Sequence, residues 1–271
     1  MTRIWVLLLC ACGVAVAAPT QRIVSLAPHA TEILFAVGAG PRIVGTLDTS
    51  DWPPLAKAIP RVGDSRALDL ERIVALSPDL VVTWPWTAPA QVELLRARGI
   101  AVFTSNPATI DGIAVDLERL GTVTGDADAG RREAEAFRAR LVKLRARFTG
   151  ARRVRVFYEI WDAPLYTVGG RHLITQAIDA CGGENVFAAL TLPAPAVNVE
   201  AVLAAKPEAI IAGADHGARP AWLDGWRRWK ALPAVAADRL YVVDADLLHR
   251  PGPRFLDGVE ALCVAIDAAR R

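Results

Sequence analysis

Histidines, carboxylates and hydroxyls are the side chains that could do chemistry here, and their spacing is tested first. The four histidines, His29, His172, His216 and His249, are scattered singly, without the close pairs or HExxH spacing of a zinc site, so a free-metal-ion binder is disfavoured. No GxSxG nucleophile elbow, no GxxxxGK[ST] loop and no GxGxxG opening a helix after a strand occurs. Asp48, Asp51 and Asp64 lie close in sequence, but acid–base catalysis needs a geometry that spacing alone does not supply, and they read as solvated loop acids. Gly169-Gly170 and Gly182-Gly183 read as turns. An exported α/β enzyme is therefore a remote alternative, and the chain reads first as a non-enzyme.

Two glutamates carry a stronger signal. The segment DLERIVALSPDLVV, residues 69–82, matches NVEAVLAAKPEAII, residues 198–211, with one offset of 129 positions for Glu71 to Glu200 and for Pro78 to Pro207. Each copy predicts a short helix with the glutamate near its start, a proline stop and a buried strand. A first-turn acid stabilises a helix by a few tenths to about 1 kcal/mol, which is one role for each glutamate alone. Their equivalence in a duplicated plan argues for a shared role on two lobes.

Tryptophans form the third group. Trp52 precedes Pro53-Pro54, and Trp84 and Trp86 follow the buried run LVVT. Ligands of open α/β sheets collect outside the carboxyl ends of the strands, where Trp84 falls. Trp222, Trp226 and Trp229 recur at helical spacing and read as one packing stripe.

These residues are positioned by alternating β-rich and helical runs: RIVSL, ATEILFAVGAG, RIVGT, LERIVALSP, DLVVTW, QVELLRARG and AVFTS, then VRVFYEIW, HLITQAIDACGG, VEAVLAAKP, EAIIAG and RLYVVD. The alternation predicts an α/β fold of two lobes, each a mainly parallel sheet with flanking helices. Thr31 is expected to open the first helix, and Gly38, Gly40 and Pro41 to close it. Residues 126–149 begin acidic, lack proline and carry Phe137, Leu141, Leu144 and Phe148 at helical spacing, predicting one long connecting helix. The expected organisation is residues 19–125 as the N-terminal lobe, 126–149 as the connection and 150–271 as the C-terminal lobe, with a last helix from about residue 253.

The first eighteen residues, MTRIWVLLLCACGVAVAA, place one arginine before an apolar run ending on small residues, the layout of a cleaved secretory signal. The run is shorter than the roughly 20 apolar residues of a spanning helix. A lipoprotein signal around residues 9–12 is the variant. Cleavage removes Cys10 and Cys12 and leaves Cys181 and Cys263, which in an exported protein suggest one disulfide, with a pair of buried free thiols as the alternative. With 31 basic and 29 acidic residues and no long single-sign block, nothing suggests a nucleic-acid partner.

RIVSLAPHATEILFAVGAG, the step Asp51-Trp52-Pro53-Pro54, DLERIVALSPDLVVTW, CGGENVF and NVEAVLAAKPEAII together resemble the periplasmic binding proteins of ABC importers for vitamin B12, and the related haem and iron-siderophore binders. The similarity runs in order from about Arg22 to the C-terminus. It implies two lobes joined by a rigid helix, a monomer without a cofactor, and a bulky ligand, cobalamin or a related corrinoid, held between the lobes. It further implies that Glu71 and Glu200 dock onto arginines of the transporter's membrane subunits. Matching cleft positions are Trp52 and Trp84, with Trp86 and Trp161 as additions, and Asp246 and Arg250 for the polar edge of the ligand. Two positions depart from the pattern, because Ser65 and Ala194 stand where cleft tryptophans are typical. The departure leaves room for haem or a ferric siderophore. Haem would need an iron ligand, for which His249, Tyr158 and Tyr166 are candidates, although His249 reads mainly as solvent-exposed.

Overall fold

A computed structural model describes residues 20–64 and 66–271. Residues 1–18 and Ser65, to which a leader and a missing cleft aromatic were assigned, lie outside the described residues.

The first half contains β1 (Ile23–Ser25), α1 (Pro28–Ala36), β2 (Ile43–Thr46), α2 (Leu70–Ala75), β3 (Leu80–Thr83), α3 (Pro89–Ala97), β4 (Ala101–Thr104) and α4 (Ile110–Thr124). Its four strands form one parallel sheet in the order β2-β1-β3-β4. α5 (Ala127–Arg147) carries the chain onward, and is the long helix expected over residues 126–149. The second half contains β5 (Val154–Asp162), β6 (Leu165–Thr167), α6 (Leu173–Ala180), β7 (Gly183–Asn185), α7 (Val199–Ala205), β8 (Ala209–Ala214), α8 (Ala221–Asp224), α9 (Pro233–Ala236), β9 (Leu240–Asp244), α10 (Ala245–Leu248) and α11 (Phe255–Arg270). β5 pairs in parallel with β8 and β7, β8 with β9, and only β6 runs antiparallel. The α/β fold of two parallel-sheet lobes is thus present.

The sheets form because short runs of Val, Ile and Leu are buried on both faces, as Leu80–Thr83 and Ala209–Ala212 show. The duplicated segment folds alike in both lobes. Asp69 accepts from the Arg72 N–H at 2.9 Å and Asn198 from the Ala201 N–H at 2.9 Å, capping α2 and α7. Each helix then ends in a left-handed residue just before the repeated proline, Ser77 at φ 47° and Lys206 at φ 46°.

α5 is laced to its neighbours on both sides. Arg138 meets Glu118 of α4, and Arg140 meets Asp257 and Glu260 of α11 at 2.6 and 2.9 Å. Gly121 and Gly130 let α4 and α5 touch backbone to backbone: a Cβ on Gly121 would lie 2.8 Å from the Gly130 Cα. Cys181, at the end of α6, is disulfide-bonded to Cys263 of α11, which settles the choice against free thiols.

Three expectations change. Thr31 does not open α1, which begins at Pro28, whose fixed φ suits a first helical turn; Thr31 is buried inside the helix, bonding Ser25, Thr46 and Ser50. The tryptophan stripe is not one helix, since α8 gives way to a 3-10 turn over Gly225–Arg228. Trp226 packs on Phe157 and Trp229 stays partly exposed. The last helix starts at Phe255.

Candidate functional site

The site assembles where the parallel strands of both sheets end. The segment after β3 delivers Trp84 and Trp86, the end of β4 delivers Ser105, and the first turn of α1 delivers His29. From the other lobe, the start of α6 delivers His172 and the end of α10 delivers His249. These six residues line one cavity of about 240 Å³ between the lobes. Trp84 is its central wall, half-buried, with ring centroids 5.6 Å from His29 and 6.3 Å from Trp86. Trp86 is 70% and Trp161 56% exposed, which marks them as wall rather than core. Trp161 lines an adjoining cavity of about 400 Å³ that shares His249. Trp52, 43% exposed, follows a different plan: the Arg254 guanidinium lies 4.5 Å over its ring.

The three histidines are neutral, polar fittings of the cavity. Burial lowers each imidazole from 6.5 to about 4. His172 Nδ1 accepts the Ile174 N–H at 3.1 Å and caps α6, so its proton sits on Nε2. His29 Nε2 faces the Ser105 hydroxyl at 3.1 Å, and Ser105 donates to Asp116 at 2.6 Å. The hydroxyl proton points at the carboxylate, so Ser105 is held as a structural bridge. His249 is not solvent-exposed as expected; its Nε2 lies 3.1 Å from the Tyr158 hydroxyl. Tyr158 is fully buried on β5 beneath it and therefore cannot meet an iron ion directly. Gly213 makes room for the pair, because a Cβ there would lie 2.3 Å from Tyr158 Oη. Tyr166 is half-buried on β6. Among the described residues, no group of three or more His, Cys, Asp or Glu side chains is placed to hold a metal ion.

Asp246 and Arg250 line neither of these two cavities; they are paired with each other at 2.7 Å. Arg250 also reaches across to Asp51 of the first lobe at 2.6 Å. Partial burial would raise the Asp51 carboxyl, but Arg250 holds it below the usual range, so Asp51 is not the solvated loop acid expected. Beside it, Arg254 donates to both carboxyl oxygens of Glu32 at 2.6 and 3.0 Å, again from one lobe to the other. Burial pushes the Glu32 carboxyl up, and the two arginines draw it partly back. Gln176 of α6 makes a further bridge, accepting from Ile110 N–H at 3.2 Å and donating to the Ala108 carbonyl at 3.0 Å. Glu32, Arg254 and Gln176 were not found from the sequence, and no spacing signal marks them. Ala194 is exposed near this region, whereas Asp64 stays a loop acid bonded to its own turn.

Glu71 and Glu200 lie away from the cleft on the first turns of α2 and α7, both exposed and neither bonded to any described residue.

A family model described as "Periplasmic binding protein" matches residues 23–247. The chain is 36% identical over 255 residues to a vitamin B12-binding protein of Vibrio cholerae, covering 93% of this chain and 91% of that one. The crystal structure of the periplasmic vitamin B12 binding protein BtuF of Vibrio cholerae superposes with a TM-score of 0.85, covering 93% and 99% of the two chains. A periplasmic heme-binding protein from Roseiflexus sp. RS-1, 25% identical, superposes at 0.83 over 93% and 100%.

Proposed function

The chain belongs to the periplasmic binding protein family, and on that premise we propose that it captures cobalamin or a related corrinoid between its lobes and delivers it to an ABC importer. The observation that carries the cargo is the interlobe cavity with Trp84 as its wall and neutral imidazoles around it. Apolar rings suit a flat macrocycle because each can bury roughly 150–250 Å². Polar groups held in fixed positions then orient its edge. Here His172 offers its Nε2 proton, and Asp246 and Arg250 offer the sites left over from their mutual pairing. Trp86 and Trp161 extend the wall, and Trp52, beneath the Arg254 guanidinium, is assigned to the ligand by the resemblance alone. Haem, the cargo of a more distant relative, is the second reading, and its direct ligands would be Tyr166 or His249.

Delivery rests on Glu71 and Glu200, which meet arginines of the membrane subunits; such charge pairs govern orientation and association rate more than affinity. The leader over residues 1–18 exports the protein, and the carrier itself performs no chemistry.

Calorimetric titration of residues 19–271 with cyanocobalamin, haemin and a ferric siderophore tests the cargo. One-to-one cobalamin binding is expected, and Trp84→Ala should weaken it by about 2 kcal/mol, roughly thirtyfold. Silence with cobalamin alongside haemin binding moves the cargo, and unchanged affinity in Trp84→Ala removes that wall from the site.

A further inference from the structure

The two lobes bring opposite hydrogen-bonding characters to the cavity that Trp84 walls. His172 caps α6 by accepting the Ile174 N–H on Nδ1, so Nε2 keeps its proton and is left as a donor. Burial raises the Tyr158 hydroxyl above its ordinary value, so it keeps its proton, and its one hydrogen-bond partner among the described residues is His249 Nε2 at 3.1 Å. That nitrogen therefore accepts, and the His249 proton sits on Nδ1 as a second donor. Arg171, exposed and next to His172, lines the same cavity with its guanidinium bonded to no described residue. All three belong to the second lobe. In the first lobe, Ser105 donates to Asp116, so His29 donates to Ser105 from Nε2 and its Nδ1 is left as an acceptor. No described carboxylate lines this cavity; Asp215, which acts on His249, lines the adjoining one.

We propose that the second-lobe wall of the cavity seats an anionic oxygen of the cargo, with Arg171 supplying charge and His172 and His249 supplying N–H groups. The inference rests on the cargo reading above and deepens it by fixing which way the cargo lies. Hydrogen bonds to an ionised acceptor are roughly twice as strong as neutral ones, and a guanidinium fork matches two oxygens of a phosphate or carboxylate. Cobalamin carries such a group in the phosphodiester of its nucleotide loop, whereas the amides at its ring edge are neutral. Haem carries the same chemistry in its propionates. The acceptor on His29 disfavours an anion, so the charged group turns to the second lobe and neutral amide N–H groups turn to the first.

Corrinoids with and without the phosphodiester test this. Residues 19–271 are titrated calorimetrically with cyanocobalamin, with dicyanocobinamide, which lacks the phosphodiester, and with haemin, at low and high salt. Arg171→Gln should weaken cyanocobalamin about tenfold and shrink its salt dependence, with cobinamide affinity changed less than about twofold. Arg171→Lys should recover part of the loss, since it keeps the charge without the fork. His172→Asn removes the Nε2 donor while asparagine still caps α6, so cyanocobalamin should weaken about threefold at an unchanged melting temperature. Equal losses for both corrinoids, or an unchanged cyanocobalamin affinity in Arg171→Gln, overturn the seat and leave the cargo reading intact. If haemin alone binds, the corrinoid reading falls, and the seat stands when Arg171→Gln weakens haemin but not its dimethyl ester; equal effects on the two overturn it. A protein that binds none of the three sinks both.

Discussion

Glu32 is held inside the first lobe with its carboxyl facing two arginines of the second, Arg254 at 2.6 Å and Arg250 at 3.8 Å. Removing one partner of a buried pair is harsher than removing both, because the remaining charge has no water to turn to. Arg254→Met should therefore destabilise the fold by about 3–5 kcal/mol, and Glu32→Gln combined with Arg254→Met by clearly less, as read by urea denaturation. Equal losses in single and double variants would mean that Arg254 acts through its contact with Trp52 instead. Trp84 was legible as a wall residue because it ends a recognisable buried strand. Glu32 was not, since it sits in an apolar helix 222 positions from its partner, and no local pattern announces a contact made across a cleft.

At the scale of elements, the repeated helix is a unit built twice from the same instructions: an Asx cap, an exposed acid, a left-handed exit and a proline. Asp69→Ala and Asn198→Ala should each lower stability by about 1 kcal/mol in thermal melts, since each cap satisfies one otherwise unpaired helix N–H. An effect at one site only would break the equivalence of the two copies. This part of the fold was readable almost residue by residue, because caps and stops are local chemistry. So was α5, where apolar residues at helical spacing face α4 and α11. The tryptophan-rich segment was misread for the same reason. Trp222, Trp226 and Trp229 have helical spacing, but the chain tightens into a 3-10 turn over Gly225–Arg228, and the partners of Trp226 are Phe157 and Glu159 on β5. Likewise Thr31 had the look of a cap, and only the fold supplies the three hydroxyls that draw it inward.

For the whole molecule, burial of titratable groups sets a pH window. The imidazoles of His29, His172 and His249 stay neutral down to about 4 in the fold but take up protons near 6.5 when unfolded, so stability rises as pH climbs from about 4 to 6.5. Glu159 works in the opposite direction: burial lifts its carboxyl from 4.5 to about 8, so the fold binds a proton that the unfolded chain releases, and stability declines as pH rises toward 8. Glu32 and Asp116, whose carboxyls burial also raises, act with Glu159 on the acid side, the three imidazoles act against them up to 6.5, and above that none of the imidazoles opposes Glu159. Melting temperature should therefore peak near pH 6.5, and Glu159→Gln should flatten the alkaline limb; a steady rise through pH 8 would contradict the assignment. The lobes that share this window are tied by α5, by Gln176 and by the Glu32–Arg254 and Asp51–Arg250 pairs, all made by side chains and backbone of the chain itself. Under the docking reading, Glu71 and Glu200 then keep one separation whether the carrier is full or empty. An importer that recognises only that separation has no shape change by which to turn away an empty carrier, so empty copies compete with full ones for the same berth, and delivery is governed by the loaded fraction of the pool rather than by its size.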